Sequence, residues 1–370
     1  MGKGTKPGKL RKNGFQHKRK KCDDTIAEDD TEVPKKNSKE EKTRVSSAEH
    51  HVKKKSKEKE RTSKEKRKSS GEVTEKEKEP EALKIARAAK TTVDWEKNMA
   101  KNRSKDQKMY DKTRVQLKCQ TPDDSDYINA SSVKFEGSET EFIMTQYPMW
   151  DTVRDFWRMV SQRKALRVVT IFECESTQLK SFFPLYSDHY MNLNGWLINT
   201  QRIEVDERDK SWVNTYTIEI VADGCSEANY CRLFNCTTWP WKKTPSEEKK
   251  LLALVRAPWK DVHPATQPND PVIVMCDLGL DRSATVVLTA ILIELVLAGK
   301  PPDCDALFKR MRDQRAGCFT MSMFYTYAIR AALSYLKIKF RQMADIPDDV
   351  KTMVNDALLK VPFVNTKTKV

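Results

Sequence analysis

A cysteine and an arginine separated by five residues are the side chains of this sequence best suited to chemistry. Cys276 follows the apolar stretch 272–275, and Arg282 precedes a long apolar stretch that begins at Ala284. This order predicts a strand, a loop and a helix, in which loop amides and a helix N-terminus converge on one point. The arginine can bind two oxygens of an anion, and the positive field favours the nucleophilic thiolate form of a cysteine. The spacing alone is a weak signal, but the flanking elements favour a phosphate-binding loop.

Most of the chain after residue 80 shows the periodicity of regular secondary structure. Short alternating or fully apolar stretches predict strands, and longer stretches with apolar residues every three or four positions predict helices. Their succession in one continuous stretch indicates a mixed α/β domain. The predicted strands cover 127–133, 142–146, 167–172, 198–204, 212–222, 228–236 and 271–275, and the predicted helices cover 81–99, 150–163, 245–257, 283–298, 303–313, 322–338 and 350–361.

Composition divides the chain into three parts. Residues 1–80 carry 26 Lys and Arg against 16 Asp and Glu, and their one aromatic residue is Phe15. Such a segment buries too little apolar surface to offset its ordering entropy, so we expect a disordered basic tail. Residues 81–340 form the predicted α/β domain, and residues 341–370 form a C-terminal helical extension.

The basic tail leaves two interpretations open. Runs such as 18–21 and 64–68 favour nuclear import, or contact with nucleic acid or an acidic membrane surface. The acidic residues interleaved through 58–79 fit a solvated linker equally well. The longest apolar run, 284–299, is short for a membrane span and contains Glu294, and the N-terminus lacks the apolar core of a signal peptide. We therefore expect no transmembrane segment and a cytoplasmic or nuclear location.

The cysteines do not predict a metal site. Cys225, Cys231 and Cys236 are grouped in sequence, but no histidine lies near them and their spacing is not that of a zinc site. The sequence therefore predicts no cofactor.

Several motifs in order make the chain resemble the tyrosine-specific protein-tyrosine-phosphatase family. The resemblance spans about residues 95–338, and it implies a central twisted mixed sheet flanked by helices. Thr145-Gln146-Tyr147-Pro148 follows a family motif, with tyrosine in place of glycine. The other matching segments are 102–103, 110–115, 126–130, 152–160, Trp239-Pro240, and Gln314-Arg315 with Gly317.

The resemblance implies a mechanism in which a cysteine attacks the phosphorus of phosphotyrosine. An aspartic acid then protonates the leaving phenol, and a water held by glutamine hydrolyses the phosphocysteine. By position, Cys276 is the nucleophile and Arg282 binds the phosphate, while Ser283 assists departure of the thiolate. Asp106 matches the acidic residue that holds the peptide backbone. Between Cys276 and Arg282, the phosphate loop consists of Asp277, Leu278, Gly279, Leu280 and Asp281.

The departures from the family pattern predict impaired catalysis. Trp241 stands at the position of the general acid, and loss of acid catalysis lowers rates about 10²–10⁴-fold. Ser104 replaces a tyrosine that would stack on the substrate ring. Thr320 and Phe324 replace the two glutamines that position water, and Met275 replaces the histidine before the nucleophile.

Two aspartates replace a serine and a glycine inside the loop. If both carboxylates face the site, each opposes a bound phosphate by about 3 kcal/mol per unit charge at ~6 Å and an effective dielectric near 20. We therefore expect Asp277 and Asp281 to disfavour phosphate. The residues also allow a structural interpretation, in which Cys276 is a buried thiol and Arg282 pairs with Asp277 or Asp281.

The tryptophans have separate expected places. Trp157, Trp196, Trp212 and also Trp150 are predicted to lie in the core. Trp239 is expected in the scaffold of the acid loop, while Trp241 is expected to be exposed and available to a partner.

Three functions fit these residues. The leading hypothesis is a pseudophosphatase that binds a protein partner, such as a kinase or a tyrosine-phosphorylated protein, without dephosphorylating it. The second is a slow or specialised phosphatase that uses Cys276 and Arg282. The third makes the basic tail the active element, in a nuclear or nucleic-acid-associated protein.

Overall fold

The computed structural model describes residues 90–172, 179–205, 212–222, 224–260 and 270–362. The predictions for the basic tail lie outside the described residues, as does most of the helix predicted at 81–99. Of that helix, the structure describes α1, Val93–Lys97.

Nine strands of the described residues form one mixed sheet. They are β1 Arg114–Gln116, β2 Tyr127–Val133, β3 Phe142–Gln146, β4 Arg167–Ile171, β5 Tyr190–Asn192, β6 Trp196–Val205, β7 Asn214–Ala222, β8 Asn229–Cys236 and β9 Val272–Cys276. Their order in the sheet is β1-β2-β3-β9-β4-β8-β7-β6-β5. The four central strands, β3, β9, β4 and β8, are mutually parallel, and the flanking strands pair antiparallel. The mixed sheet flanked by helices confirms the predicted fold class.

The helices pack on both faces of this sheet. After α1 they are α2 Val153–Gln162, α3 Glu248–Arg256, α4 Asp281–Leu297, α5 Cys304–Gln314, α6 Ser322–Gln342 and α7 Asp348–Lys360. Short 3₁₀ turns cover Trp150–Thr152 and Ala257–Trp259, among others. Each predicted helix within the described residues is present, with bounds that differ by a few residues.

Alternation along β9 separates two apolar cores. Val272, Val274 and Cys276 face the core that contains α4 and α6, whereas Ile273 and Met275 face the core that contains α2. Because β9 is covered on both faces, all five of its residues are apolar, as is typical of a central parallel strand. This fully buried strand fixes the position of the phosphate loop that follows it.

The long apolar run after Arg282 is a buried helix, as predicted. Nearly every residue of α4 is buried, because the helix lies between the sheet and α6. Within the described residues, no helix has both the length and the apolar character needed to cross a bilayer.

The prediction that Trp150 lies in the core was wrong. Trp157 and Trp239 are fully buried, and Trp196 and Trp212 are nearly so, but 82% of the Trp150 surface is exposed. Trp150 lies in the 3₁₀ turn before α2, outside the helical face that Phe156 and Trp157 turn toward the core.

Candidate active site

The phosphate loop lies where the four parallel strands end. In the sheet register, Cys276 is opposite Gln146 of β3 and Ile171 of β4, and Ile171 is opposite Cys236 of β8. All four strands therefore end at one level, and their following loops meet at one edge, which is the usual place of a site in such a sheet. Cys276, the last residue of β9, is buried at this edge.

Backbone contacts hold the phosphate loop against the end of β3. The amide of Tyr147 donates hydrogen bonds to the carbonyl oxygens of Cys276 (2.8 Å) and Asp277 (3.1 Å). Gly279 has φ +66°, and a Cβ at this position would lie 2.5 Å from the carbonyl carbon and oxygen of Thr145. The loop therefore requires glycine for both its backbone conformation and its close approach to the strand.

Replacing Gly279 with alanine should lower the free energy of unfolding by about 2–4 kcal/mol, because left-handed backbone strain and a steric clash add together. Gly299 is the matched control, since it also has positive φ (+69°) but nothing within 4 Å of its added Cβ. Gly299→Ala should lower the free energy of unfolding by only about 1 kcal/mol. Urea unfolding of both variants measures the difference, and equal losses would show that the contact with Thr145 is unimportant.

A buried arginine also supports the loop. Arg315 donates from Nη2 to the Leu278 carbonyl (2.9 Å) and the Asn129 side chain (2.7 Å), and from Nε to the Gly279 carbonyl (3.3 Å). Burial lowers the pKa of Arg315, and its interactions with Cys318, Tyr127 and Cys276 partly offset this shift. The motif Gln314-Arg315 is the one sequence signal for Arg315, and it does not predict these contacts with the loop carbonyls.

Arg282, the predicted phosphate-binding residue, already has an anionic partner. Arg282 donates from Nη2 to Oδ2 of Asp277 (2.5 Å) and from Nη1 to the Trp239 carbonyl oxygen (2.7 Å). Only 2% of the Arg282 surface is exposed. The Asp277 carboxylate thus lies on the guanidinium that is predicted to bind phosphate. This is one of the two ion pairs that the sequence allowed for a structural role of Arg282.

The second aspartate has a different partner. Asp281, the first residue of α4, accepts hydrogen bonds from the amide (2.6 Å) and the hydroxyl (2.5 Å) of Thr320. Of the two aspartates, Asp277 is the one paired with the phosphate-binding arginine. The two carboxylates therefore have different surroundings, since Asp277 pairs with Arg282 and Thr320 holds Asp281.

The acid loop is anchored by one tryptophan and exposes another. Trp239 is fully buried and donates its indole N–H to the Lys243 carbonyl oxygen (2.7 Å). Trp241 is 58% exposed, as expected, and the Lys242 ammonium lies 4.2 Å from the centre of its ring. An indole has no acidic proton to give to a leaving phenolate, so position 241 cannot supply general acid catalysis.

Comparison with known proteins agrees with this geometry. The protein-tyrosine phosphatase family model matches residues 98–334, more than half of the chain. The chain belongs to the protein-tyrosine phosphatase family.

Two relatives with similar sequences are longer than this chain. Human tyrosine-protein phosphatase non-receptor type 12 is 27% identical over 228 residues, which cover 60% of this chain and 28% of that protein. Mouse tyrosine-protein phosphatase non-receptor type 2 is 28% identical over 223 residues, which cover 60% of this chain and 53% of that protein. The chain thus matches about half or less of the length of these relatives.

Solved structures of the family share the fold. The catalytic domain of human protein tyrosine phosphatase non-receptor type 18 matches with a TM-score of 0.56 and 23% identity, covering 68% of this chain and 91% of that structure. PTPN18 in complex with HER2-pY1196 phosphopeptides matches equally well in TM-score, at 22% identity, covering 68% of this chain and 87% of that structure. At this identity the likeness shows the fold alone.

Ser104, at a predicted substrate-recognition position, lies beside the phosphate loop. The Ser104 hydroxyl accepts hydrogen bonds from the amides of Asp106 and Gln107, both at 3.2 Å, and is too small to stack on a phenyl ring. It lines a small recess that also contains Leu278, Leu280 and Arg315. The recess brings the predicted recognition and phosphate-loop positions together.

Thr320 and Phe324, at the two positions predicted to correspond to the family's glutamines, carry no amide. Phe324 is buried in the core beside α4, and the Thr320 hydroxyl is bonded to Asp281. By contrast, the Ser283 hydroxyl is fully buried and has no hydrogen-bond partner among the described residues, which is unusual for a buried polar group.

Proposed function

We propose that this phosphatase-family domain is a pseudophosphatase, which binds a protein partner in phosphotyrosine signalling and does not hydrolyse phosphotyrosine. The main support for this proposal is the ion pair between the Asp277 carboxylate and the Arg282 guanidinium. The proposed partner is a kinase or a tyrosine-phosphorylated protein. Support for this partner class comes from the family and from the phosphopeptide complex of the structurally similar PTPN18.

The ion pair opposes phosphate binding in two ways. An incoming phosphate must displace the carboxylate from Arg282, and a hydrogen bond to a charged group contributes about 1.5–3 kcal/mol. The displaced carboxylate of Asp277 then lies beside a dianion, in a site that is largely buried and poorly screened. This loop should therefore bind phosphate at least about 10-fold more weakly than the same loop without Asp277 would.

Chemistry is impaired independently of binding. Cleavage breaks the bond between phosphorus and the phenol oxygen while the Cys276 sulfur forms a bond to phosphorus, and the leaving oxygen needs a proton. Trp241 has none to give, and Thr320 and Phe324 provide no amide for the hydrolytic water. Binding and both chemical steps are thus weakened by separate substitutions.

A phosphatase assay tests the proposal directly. The full chain and its Cys276→Ser variant should release phosphate from p-nitrophenyl phosphate and from a phosphotyrosyl peptide at the same background rate. Calorimetry with the phosphotyrosyl peptide should give a Kd weaker than about 10 μM. Phosphate release that is lost in Cys276→Ser would overturn the proposal, whereas release that persists in the variant would indicate a contaminating enzyme.

The intact loop favours one alternative, a slow or specialised phosphatase. Cys276 and Arg282 keep their family positions, and Gly279 and Arg315 maintain the loop conformation. Cys276-dependent turnover in the same assay would establish this activity. The proposed nuclear or nucleic-acid contact of residues 1–80 rests on their charge alone, and steep weakening with salt would be its signature.

A further inference from the structure

A second concave surface lies at the opposite edge of the parallel strands. We call it the basic groove. It has about 720 Å³ of free space, a size typical of ligand sites. Helix α4 begins at the phosphate loop and ends at this groove, and its 17 residues span about 25 Å. The groove is therefore remote from Cys276. Its lining includes Arg167, Arg256, Trp259, Lys260, Ile293 and Leu297.

An aromatic residue forms part of the groove wall. Trp259 is about one-third exposed, and its ring packs against Phe142 at 6.3 Å between centroids. The Arg167 guanidinium lies 5.5 Å from the ring centroid on the same indole. Ile293 and Leu297 from the last turns of α4 continue the apolar surface. Together they offer a place for an apolar side chain.

Cations outnumber acids along the groove. Arg167, Arg256, Lys260 and Lys300 line it, and within the part of the chain that the structure describes none of them forms an ion pair with a carboxylate. The acidic lining residues are Glu139 and Glu294. The cations come from separate elements, so several positive charges are spread along the groove instead of meeting at one point.

Arg167, which lines the groove, carries a buried donor without a partner among the described residues. Only 7% of its surface is exposed, and Nη2 donates to the Asp270 carbonyl oxygen at 2.9 Å. Its Nε makes no hydrogen bond within the described residues. Burial also lowers the pKa of Arg167, with partial compensation from Asp270. A buried N–H without an acceptor is costly, so the contacts made within the described residues do not fully satisfy the Arg167 guanidinium.

We propose that the basic groove binds an acidic peptide segment of a partner protein, with an apolar side chain against Trp259 and carboxylates on the surrounding cations. Distributed charges suit several carboxylates along a peptide better than one small anion. The basic tail of this chain is unsuited to the groove, because residues 1–80 also carry excess positive charge. The proposal goes beyond the proposed function and does not depend on the phosphate loop.

Selection from a random dodecapeptide library displayed on phage, with the full chain as bait, tests this proposal. Enriched peptides should contain Asp or Glu around an aromatic or branched apolar residue. In fluorescence anisotropy, the double variant Arg256→Glu with Lys260→Glu should bind an enriched synthetic peptide with at least ten-fold lower affinity than the unmodified chain does. Both residues are exposed, so the fold should be unaffected.

A matched variant controls for overall charge. Lys309→Glu with Arg310→Glu makes the same charge change at exposed positions of α5, and should alter affinity less than two-fold. Cys276→Ser with Asp277→Ser should leave peptide binding unchanged, which separates this test from the proposed function. Failure to enrich acidic peptides, or equal binding by the groove variant, would overturn the proposal.

Discussion

Replacing Asp277 with serine should raise the affinity of this domain for vanadate at least ten-fold, and up to about 100-fold. The serine cannot form the ion pair that now occupies Arg282, and it removes one negative charge from the neighbourhood of the bound anion. Arg282 keeps its second contact, with the Trp239 carbonyl oxygen, so its side chain should stay in position. Calorimetric titration with vanadate, a phosphate analogue, measures the gain.

Asp281→Asn is the matched control, because it also removes one negative charge from the same loop. Its carboxylate is held by Thr320, so the change should alter vanadate affinity much less than Asp277→Ser does. The double change of Asp277→Ser with Asp281→Gly should bind vanadate about as tightly as Asp277→Ser alone. Equal effects of the two single variants would mean that net charge near the loop, and not the contact with Arg282, limits anion binding.

This contrast between two aspartates also shows how far the sequence alone could be interpreted. The strand, loop and helix around Cys276 were predictable, since an apolar stretch before the loop and a longer one after it are local signals. The partner of each carboxylate, Asp277 and Asp281, was not predictable. Asp281 bonds to Thr320, which is 39 positions away, and such partners depend on how α6 packs beside α4. Local periodicity carries no information about contacts of this kind.

Other omissions have similar causes. Strands β1 and β5 have three residues each, too few to show the alternation by which strands are predicted. The role of Arg315 in supporting the loop depends on the carbonyl oxygens of Leu278 and Gly279, which share no sequence motif with it. Trp150 was assigned to the core by residue type, although its turn precedes the apolar face of α2.

Introducing aspartic acid at position 241 should restore the first chemical step in the Asp277→Ser background. A carboxylic acid there could protonate the leaving phenol, and restored general acid catalysis is worth about 10²–10⁴-fold in rate. The position is accessible, since Trp241 is exposed, and buried Trp239 anchors the loop beside Arg282. Stopped-flow measurement with phenyl phosphate should show a rapid release of about one phenol per enzyme, followed by slow turnover.

Slow turnover is expected because Thr320 and Phe324 still leave the hydrolytic water unpositioned, so the phosphocysteine accumulates. Two comparisons identify the acid. Trp241→Asn in the same background has a similar size but no acidic proton, and should give no burst. p-Nitrophenyl phosphate, whose leaving group needs little protonation, should gain much less from Trp241→Asp than phenyl phosphate does. An equal rate gain for both substrates would show that the substitution acts by moving the loop. In that case the lack of an acidic proton at position 241 would not explain the impaired chemistry.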